Sequence, residues 1–298
     1  MRILVTGGTG FVGRHLCAAL LEKGHAVTAI GLRRRPAQAV LHDRYRYCPA
    51  DTSRPGAWQA EVERADLVVN LSGRTILRRW TPAYKREIRD SRVRTTRHVA
   101  RRLRPGTVLL STSAVGYYGD RGDDVLTEDA PPGDDFLAAV SREWEAAAFE
   151  AADRNVRVAV MRFGVVLGRG GGAMERMLPA FRLFMGGPLG RGSQWMPWIH
   201  VHDLVRAVFF LMEGEQRRGA YNFCAPHPVT SRELAETLGR VLRRPSRMPA
   251  PTFMLRRLLG EVASTMLASQ RVVPRRLLEE GFAFRFARIE EALEDLVR

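Results

Sequence analysis

The sequence predicts an α/β fold, a doubly wound parallel sheet carrying a small, mostly helical C-terminal subdomain. Three observations carry that reading. Short apolar runs rich in Val, Ile and Leu alternate with segments of helical period through the first two-thirds of the chain. A glycine-rich turn joins the first apolar run to the first helical segment. Past residue 167 the alternation breaks into a Gly- and Pro-rich excursion, and the tail is mainly helical.

Residues 2–6 (RILVT) read as a buried strand. Val12, Leu16, Leu20 and Leu21 then mark one face of a helix over 12–23, ended by Gly24. Strands follow at 26–30, 45–48 and 67–71, a polar helix at 83–103, and a strand at 108–113. A helix at 137–153 leads into a strand at 156–161. Residues 168–197 form the excursion, with a helical piece near 173–185. A helix at 203–212, capped by Asp203, precedes a strand at 220–224. A helix at 231–243 starts at a Thr230 or Ser231 cap, prolines 245, 249 and 251 break the chain, and Ile289, Leu293 and Leu296 share a face of the last helix. The domain division is 1–165, continued by about 198–225, for the sheet, and 166–197 with 226–298 for the smaller unit.

Composition narrows the function classes. Hydrophobic residues make up 45% of 298, enough for a sizeable core, and no apolar run approaches a membrane span. The start MRILVTGG has no charged leader before an apolar segment, so a cytoplasmic protein is expected. Cys17, Cys48 and Cys224 are scattered and predict neither disulfides nor a metal site. Net charge is +15, yet only Lys23 and Lys85 are lysine. Arginines spread over the whole length, with no nucleic-acid motif beside them, argue against specific nucleic-acid binding and fit an anionic small molecule.

Thr6-Gly7-Gly8-Thr9-Gly10-Phe11-Val12-Gly13 sits between a strand and a helix, with glycines spaced as GxxGxxG. In that setting Gly7 permits the tight turn, Gly10 lets a pyrophosphate approach the backbone, and Gly13 lets the helix pack on the strand. The helix N-terminus offers free N–H groups to phosphates. This is a dinucleotide-binding Rossmann signature. The second strand ends in Gly31-Leu32-Arg33-Arg34-Arg35, with no carboxylate before Asp43. A carboxylate there would bond a ribose hydroxyl, whereas arginine pairs with a 2′-phosphate. NADP(H) is therefore the expected cofactor, with Arg33 the phosphate partner. Asp51 is placed for the adenine amino group, and Leu71, Ser72 and Gly73 follow the fourth strand beside the turn.

The ordered motifs GGTGFVG (7–13), NLSG (70–73), RRW (78–80), STSAVGYYGDRGD (111–123), RFGVVLG (162–168), GGPLGRGSQWMPWIHVHD (186–203) and QRVVP (270–274) resemble the extended short-chain dehydrogenase/reductases. Within that class they are most similar to an atypical, epimerase-like family related to the sugar nucleotide epimerases, with its own C-terminal domain. The resemblance spans nearly the whole chain. It implies a catalytic Ser-Tyr-Lys set, with YxxxK on the helix before the sixth strand. Ser113 matches the serine. The helix around 134–145 holds neither tyrosine nor lysine, and no YxxxK exists in the chain. Tyr117 and Tyr118, close to Ser113 in sequence, are the alternative proton donors.

On the substrate side, Arg79, Trp80, Arg92, Trp195, Trp198, His200 and His202 are candidates to line a cleft. Aromatic faces suit a ring and arginines suit phosphate or carboxylate. His200 and His202 alternate on a strand, so at most one faces the site. The acidic residues 120–124, with Glu128 and Asp129, are expected in a solvated loop near the mouth of the site. Two functions stay in play. One is an NADP-dependent oxidoreductase or epimerase-like enzyme acting on a small molecule. The other is a catalytically silent NADP(H)-binding sensor or interaction protein, which the missing Tyr-Lys pair favours and to which the family's links with cell and organelle division add weight. Related folds dimerise through two helices, which leaves a homodimer open.

Overall fold

The computed structural model describes residues 1–35 and 40–297. Seven strands form one sheet: β1 (Arg2–Thr6), β2 (Ala26–Gly31), β3 (Tyr45–Pro49), β4 (Leu67–Asn70), β5 (Val108–Ala114), β6 (Arg157–Phe163) and β7 (Gly219–Phe223). Every neighbouring pair is parallel, in the order β7-β6-β5-β4-β1-β2-β3. Parallel neighbours need crossovers, and helices supply most of them. They are α1 (Phe11–Glu22) after β1, α2 (Pro82–Ala100) after β4, α3 (Phe136–Phe149) after β5, and α4 (Val201–Glu213) between β6 and β7.

The strand pleat divides the core in two. Ile3 and Val5 face Leu16 and Leu20 of α1 and Leu204 and Val208 of α4. Leu4, between them, faces the other way, onto Val99 and Leu103, with Val68, Leu109 and Val160 from its neighbours. Both faces are thus covered, which is why the strands read as continuous apolar runs. Chain order reverses between β1 and β4, and the crevice outside the carboxyl ends at such a reversal is where this architecture holds ligands.

Residues beyond β6 build a second cluster. Val165–Gly168 pairs in parallel with Trp198–His200. Helix α5 (Ser231–Leu242), with a Thr230/Glu233 capping box, and α6 (Ile289–Val297) close over Leu167, Met174, Phe181 and Trp198. Trp198 faces this cluster while its neighbour Ile199 faces the main sheet, so one short strand serves two cores.

Three boundaries differ from expectation. α4 begins at Val201, with His200 as its cap: the imidazole Nδ1 accepts the His202 N–H at 3.1 Å. Asp203 lies inside the first turn, fully buried, and its carboxylate accepts backbone N–H bonds from Arg285 (3.0 Å) and Phe286 (2.8 Å). It therefore ties the tail to α4 and caps no helix. β6 runs on through Arg162 because that charge is paired inside the protein. α3 stops at Phe149, and Asn155, in the left-handed region at φ 58°, turns the chain into β6.

Candidate functional site

The glycine turn has the geometry its spacing predicts. Gly7 is at φ +68°, and a Cβ there would lie 2.9 Å from the Leu71 carbonyl oxygen. A Cβ on Gly13 would come within 2.4 Å of the Gly7 carbonyl oxygen. The turn therefore packs directly against the loop after β4, with α1 pressed onto it, and only glycine fits. The residues present fit a dinucleotide: a tight glycine turn with no room for a Cβ at Gly7 or Gly13, leading into a helix N-terminus whose first N–H groups are open to a phosphate.

Around the turn, the side chains divide. Thr6 is fully buried and donates to Asn70 Oδ1 at 2.6 Å, so its hydroxyl is turned into the sheet. Any part of Thr6 in holding the cofactor is therefore left to its backbone. Asn70 in turn donates to Thr96 (2.7 Å) and Ser111 (3.3 Å), tying β4 to α2 and β5. Phe11 is enclosed by the glycine run of the excursion: added Cβ atoms at Gly168, Gly171 and Gly172 would lie 2.6, 2.3 and 2.8 Å from its ring. Val12 is partly buried against the main core. At the end of β2, Gly31 admits the Thr9 hydroxyl, which a Cβ would meet at 2.6 Å. Arg33 is exposed just beyond, and its carbonyl accepts a hydrogen bond from the Tyr47 hydroxyl. Asp51 follows β3; its Oδ1 accepts from the Ser53 hydroxyl (2.6 Å) and N–H (3.1 Å). Ser72 is partly buried and Gly73 exposed.

No tyrosine or lysine lies on α3, and a buried ion pair joins that helix to β6. Arg162 of β6 donates from Nε and Nη2 to the two Glu145 oxygens of α3, each at 2.8 Å. Both side chains are under 10% exposed, at 5% and 8%. Ser113, also buried, donates to Glu145 Oε1 at 2.7 Å. Arg162 Nη1 donates to the Tyr118 hydroxyl (2.9 Å) and the Glu128 carbonyl (3.0 Å), and Tyr118 donates to Asn222 Oδ1 at 2.7 Å. Tyr118 is fully buried, and burial pushes its phenol well above the usual tyrosine range. Its expected role as proton donor is corrected: both hydrogen-bonding directions of its hydroxyl are used, and ionisation is opposed. Ser113 reaches the carboxyl end of β5 as expected, but its proton is committed to Glu145. Tyr117 differs. It is partly exposed, with its ring face on the Arg162 guanidinium, 3.6 Å from carbon to centroid.

Glu145, Arg162 and Asn222 were missed from sequence, and Glu128, expected in the solvated acidic loop, is instead buried, where its carboxylate accepts the Asn222 N–H at 3.0 Å. A signal existed: Arg162 interrupts the apolar run VAVMRF, and a charge inside a buried strand requires a partner.

The candidate substrate residues scatter. Trp198 is fully buried and its indole donates to the His227 carbonyl at 3.2 Å. His200 is buried beneath Phe286, ring centroids 4.0 Å apart. Both belong to the C-terminal core, a correction of their expected place in the cleft. The strand that carries them is covered on both faces, so neither parity reaches solvent. Trp80 stays near an open surface, its ring edge-on to Phe136 at 5.1 Å, with the Lys85 ammonium 5.7 Å from its centroid. Arg79 is exposed. Trp195 donates to Asp123 at 2.7 Å and lies under Arg271. The acidic loop is therefore anchored to the tail, where Asp120 also accepts the Ser269 N–H at 3.0 Å. Gln270 completes the tie by donating to the carbonyls of Val115 and Gly119, at 3.2 and 2.9 Å. A cavity of about 620 Å³ opens between the 188–191 loop and α5, with Arg191, Arg232, Arg247 and Glu236 in its wall. Among the described residues no group of acids, histidines and cysteines could hold a metal ion, and no helix is long and apolar enough to cross a membrane.

A parallel sheet in this order, with this glycine turn, defines a dinucleotide-binding Rossmann scaffold, and the comparisons name its family. The chain belongs to the NAD dependent epimerase/dehydratase family, which it matches over residues 3–224; residues 250–296 match a domain of unknown function, DUF1731. It is 41% identical to the chloroplastic epimerase family protein SDR39U1 homolog of Arabidopsis thaliana, over 100% of this chain and 87% of that protein. It is 36% identical to human epimerase family protein SDR39U1, covering 100% of both. The crystal structure of human SDR39U1 (isoform 2) with NADPH superposes with a TM-score of 0.86 at 35% identity, covering 99% of each chain. A nucleoside-diphosphate sugar epimerase from Corynebacterium glutamicum matches at a TM-score of 0.77 and 32% identity, over 100% of this chain and 58% of that one.

Proposed function

We propose that this protein binds NADP(H) at the Gly7–Gly13 turn and serves as an oxidoreductase or epimerase-like enzyme acting on a small, anionic molecule. The observation that carries the reading is the turn itself, closed to any Cβ and followed, at the end of β2, by Arg33 in place of a carboxylate. The human relative crystallised with NADPH supports the choice of cofactor.

Bound NADP(H) supplies hydride chemistry. The chain's own part is to hold the dinucleotide along the turn, keep the end of β5 rigid through the Ser113–Glu145–Arg162 cluster, and present a proton at the Tyr117 hydroxyl. The arginine-lined cavity beside α5 suits an anionic portion of the substrate.

A second reading has its own support. The Ser113 and Tyr118 hydroxyls are both engaged in the buried cluster, as expected of a protein that binds the cofactor without turnover and reports its presence to a partner. The test is a calorimetric titration of cofactor-stripped protein with NADPH and NADH, repeated on Arg33→Ala, then a carbonyl substrate screen with wild type and Tyr117→Phe. Tighter NADPH binding that collapses toward the NADH value in Arg33→Ala is expected. Equal or absent binding of both cofactors refutes the assignment. Turnover that falls in Tyr117→Phe selects the enzyme, and cofactor binding without turnover selects the sensor.

A further inference from the structure

Arg92 lies in the crevice outside the carboxyl ends of β4 and β5, on α2, facing the loop after β4. Its side chain makes one hydrogen bond, from Nη1 to the Ile88 carbonyl of its own helix at 3.0 Å. Among the described residues no carboxylate pairs with it, although every other arginine that burial affects strongly has a dedicated acceptor. Arg162 has Glu145, and Arg157 has the carbonyls of Leu211, Met212 and Arg217. The residue as a whole is partly buried, and burial pulls its guanidinium down to about 10, still charged at neutral pH.

The surroundings are shaped for that group. Trp144 of α3 places its ring 5.2 Å from the guanidinium carbon. The Trp144 indole N–H is fixed by donation to Thr96 at 2.8 Å, so the ring is not free to leave. On the loop after β4, a Cβ added to Gly73 would lie 3.1 Å from the guanidinium carbon and 3.3 and 3.4 Å from its two terminal nitrogens. Near-equal distances with the carbon closest place that point over the flat face of the group. Gly73 thus covers a face and leaves the donor edge, where Nε and Nη2 make no hydrogen bond among the described residues. An enclosed cation with an unused donor edge is costly unless a ligand completes it.

We infer that Arg92 is an oxyanion receptor in the cofactor crevice, taking two oxygens of a carboxylate or phosphate in the plane of its guanidinium. The inference rests on the proposed dinucleotide site next to it, since Gly73 continues the loop that Gly7 packs against. Two sources share this chemistry: an acidic group on the substrate, or a phosphate of the cofactor. A planar fork reads either in the same bidentate way.

The test titrates oxalate and inorganic phosphate into the full-length protein, with and without saturating NADPH, by calorimetry. Wild type is compared with Arg92→Gln, Arg92→Lys, Gly73→Ala and, as a control for loss of one exposed charge, Arg104→Ala. If the oxyanion belongs to the substrate, NADPH leaves anion binding intact, Arg92→Gln weakens it at least tenfold with little change in NADPH affinity, and Arg104→Ala spares it. If it belongs to the cofactor, the anions compete with NADPH and Arg92→Gln weakens NADPH itself at least tenfold. Arg92→Lys keeps the charge without the fork and should fall between wild type and Arg92→Gln. Gly73→Ala crowds the face of the guanidinium from another segment and, by displacing the group, should lower affinity even if the Arg92 variants fold poorly. Anion and NADPH affinities unchanged in both Arg92→Gln and Gly73→Ala overturn the inference. Wild type that binds the anions through Arg92 but no NADPH would overturn the cofactor reading and leave the receptor standing.

Discussion

Replacing Arg162 by methionine tests whether the Glu145–Arg162 pair holds the end of the sheet together. The guanidinium makes four hydrogen bonds, two to Glu145 and one each to Tyr118 and Glu128, at 2.8–3.0 Å. The substitution keeps most of the side-chain volume and removes all four. It leaves the Glu145 carboxylate, 8% exposed, with Ser113 as its one hydrogen-bond donor among the described residues. Breaking such a pair from one side costs about 3–5 kcal/mol, because the stranded charge keeps its desolvation penalty. At roughly 2 °C per kcal/mol for a chain of this size, the melting midpoint should fall by about 6–10 °C. Adding Glu145→Leu removes the stranded charge, so the double variant should cost about 2 kcal/mol less than the sum of the singles. Urea unfolding followed by circular dichroism on wild type, both singles and the double measures every corner of this cycle. A single-variant loss of about 0.5 kcal/mol, the size of a surface change, would refute the reasoning. So would strict additivity, which would mean that the two charges do not depend on each other.

Gly13→Ala should lower NADPH affinity more than tenfold by displacing α1 from the turn, since its Cβ would sit 2.4 Å from the Gly7 carbonyl oxygen; calorimetry reads the change, and wild-type affinity would show that the turn can open without loss. Burial lowers His200 from 6.5 to about 4. The unfolded chain therefore binds more protons between those values, so this contribution is complete above about pH 6.5 and is lost as pH falls toward 4. Urea midpoints at pH 7.5 and pH 5 should differ less in His200→Asn than in wild type, and an identical pH dependence would show that His200 plays no part.

The sheet was legible because its strands are buried on both faces and carry unbroken apolar runs. The turn was legible because only glycine satisfies three close approaches at fixed spacing. What sequence could not show was pairing between distant segments. Glu145 and Arg162 are seventeen positions apart, on different elements, and only the packing of α3 on the sheet brings them together. Ser113 was found by resemblance, but its commitment to Glu145 needed the third dimension. Trp198 and His200 misled because alternation along a strand implies one solvent face, and this strand is wedged between two cores. Asp120, Asp123 and Asp124 are exposed, as expected of a solvated loop, and what the sequence could not show is their bonding to Trp195 and Ser269, in the excursion and the tail.

The enclosure of Phe11 fixes the order in which substitutions can be tolerated. Three glycines of the excursion stand where any side chain would strike that ring. While position 11 is aromatic, alanine at 171 is barred; once position 11 is small, the same alanine fills a vacancy. Each change is harmful alone and harmless after the other, so related chains that carry different residues at one position should have changed at both. The nucleotide turn and the first helix of the C-terminal excursion therefore evolve as a unit, although more than 150 residues of chain separate them.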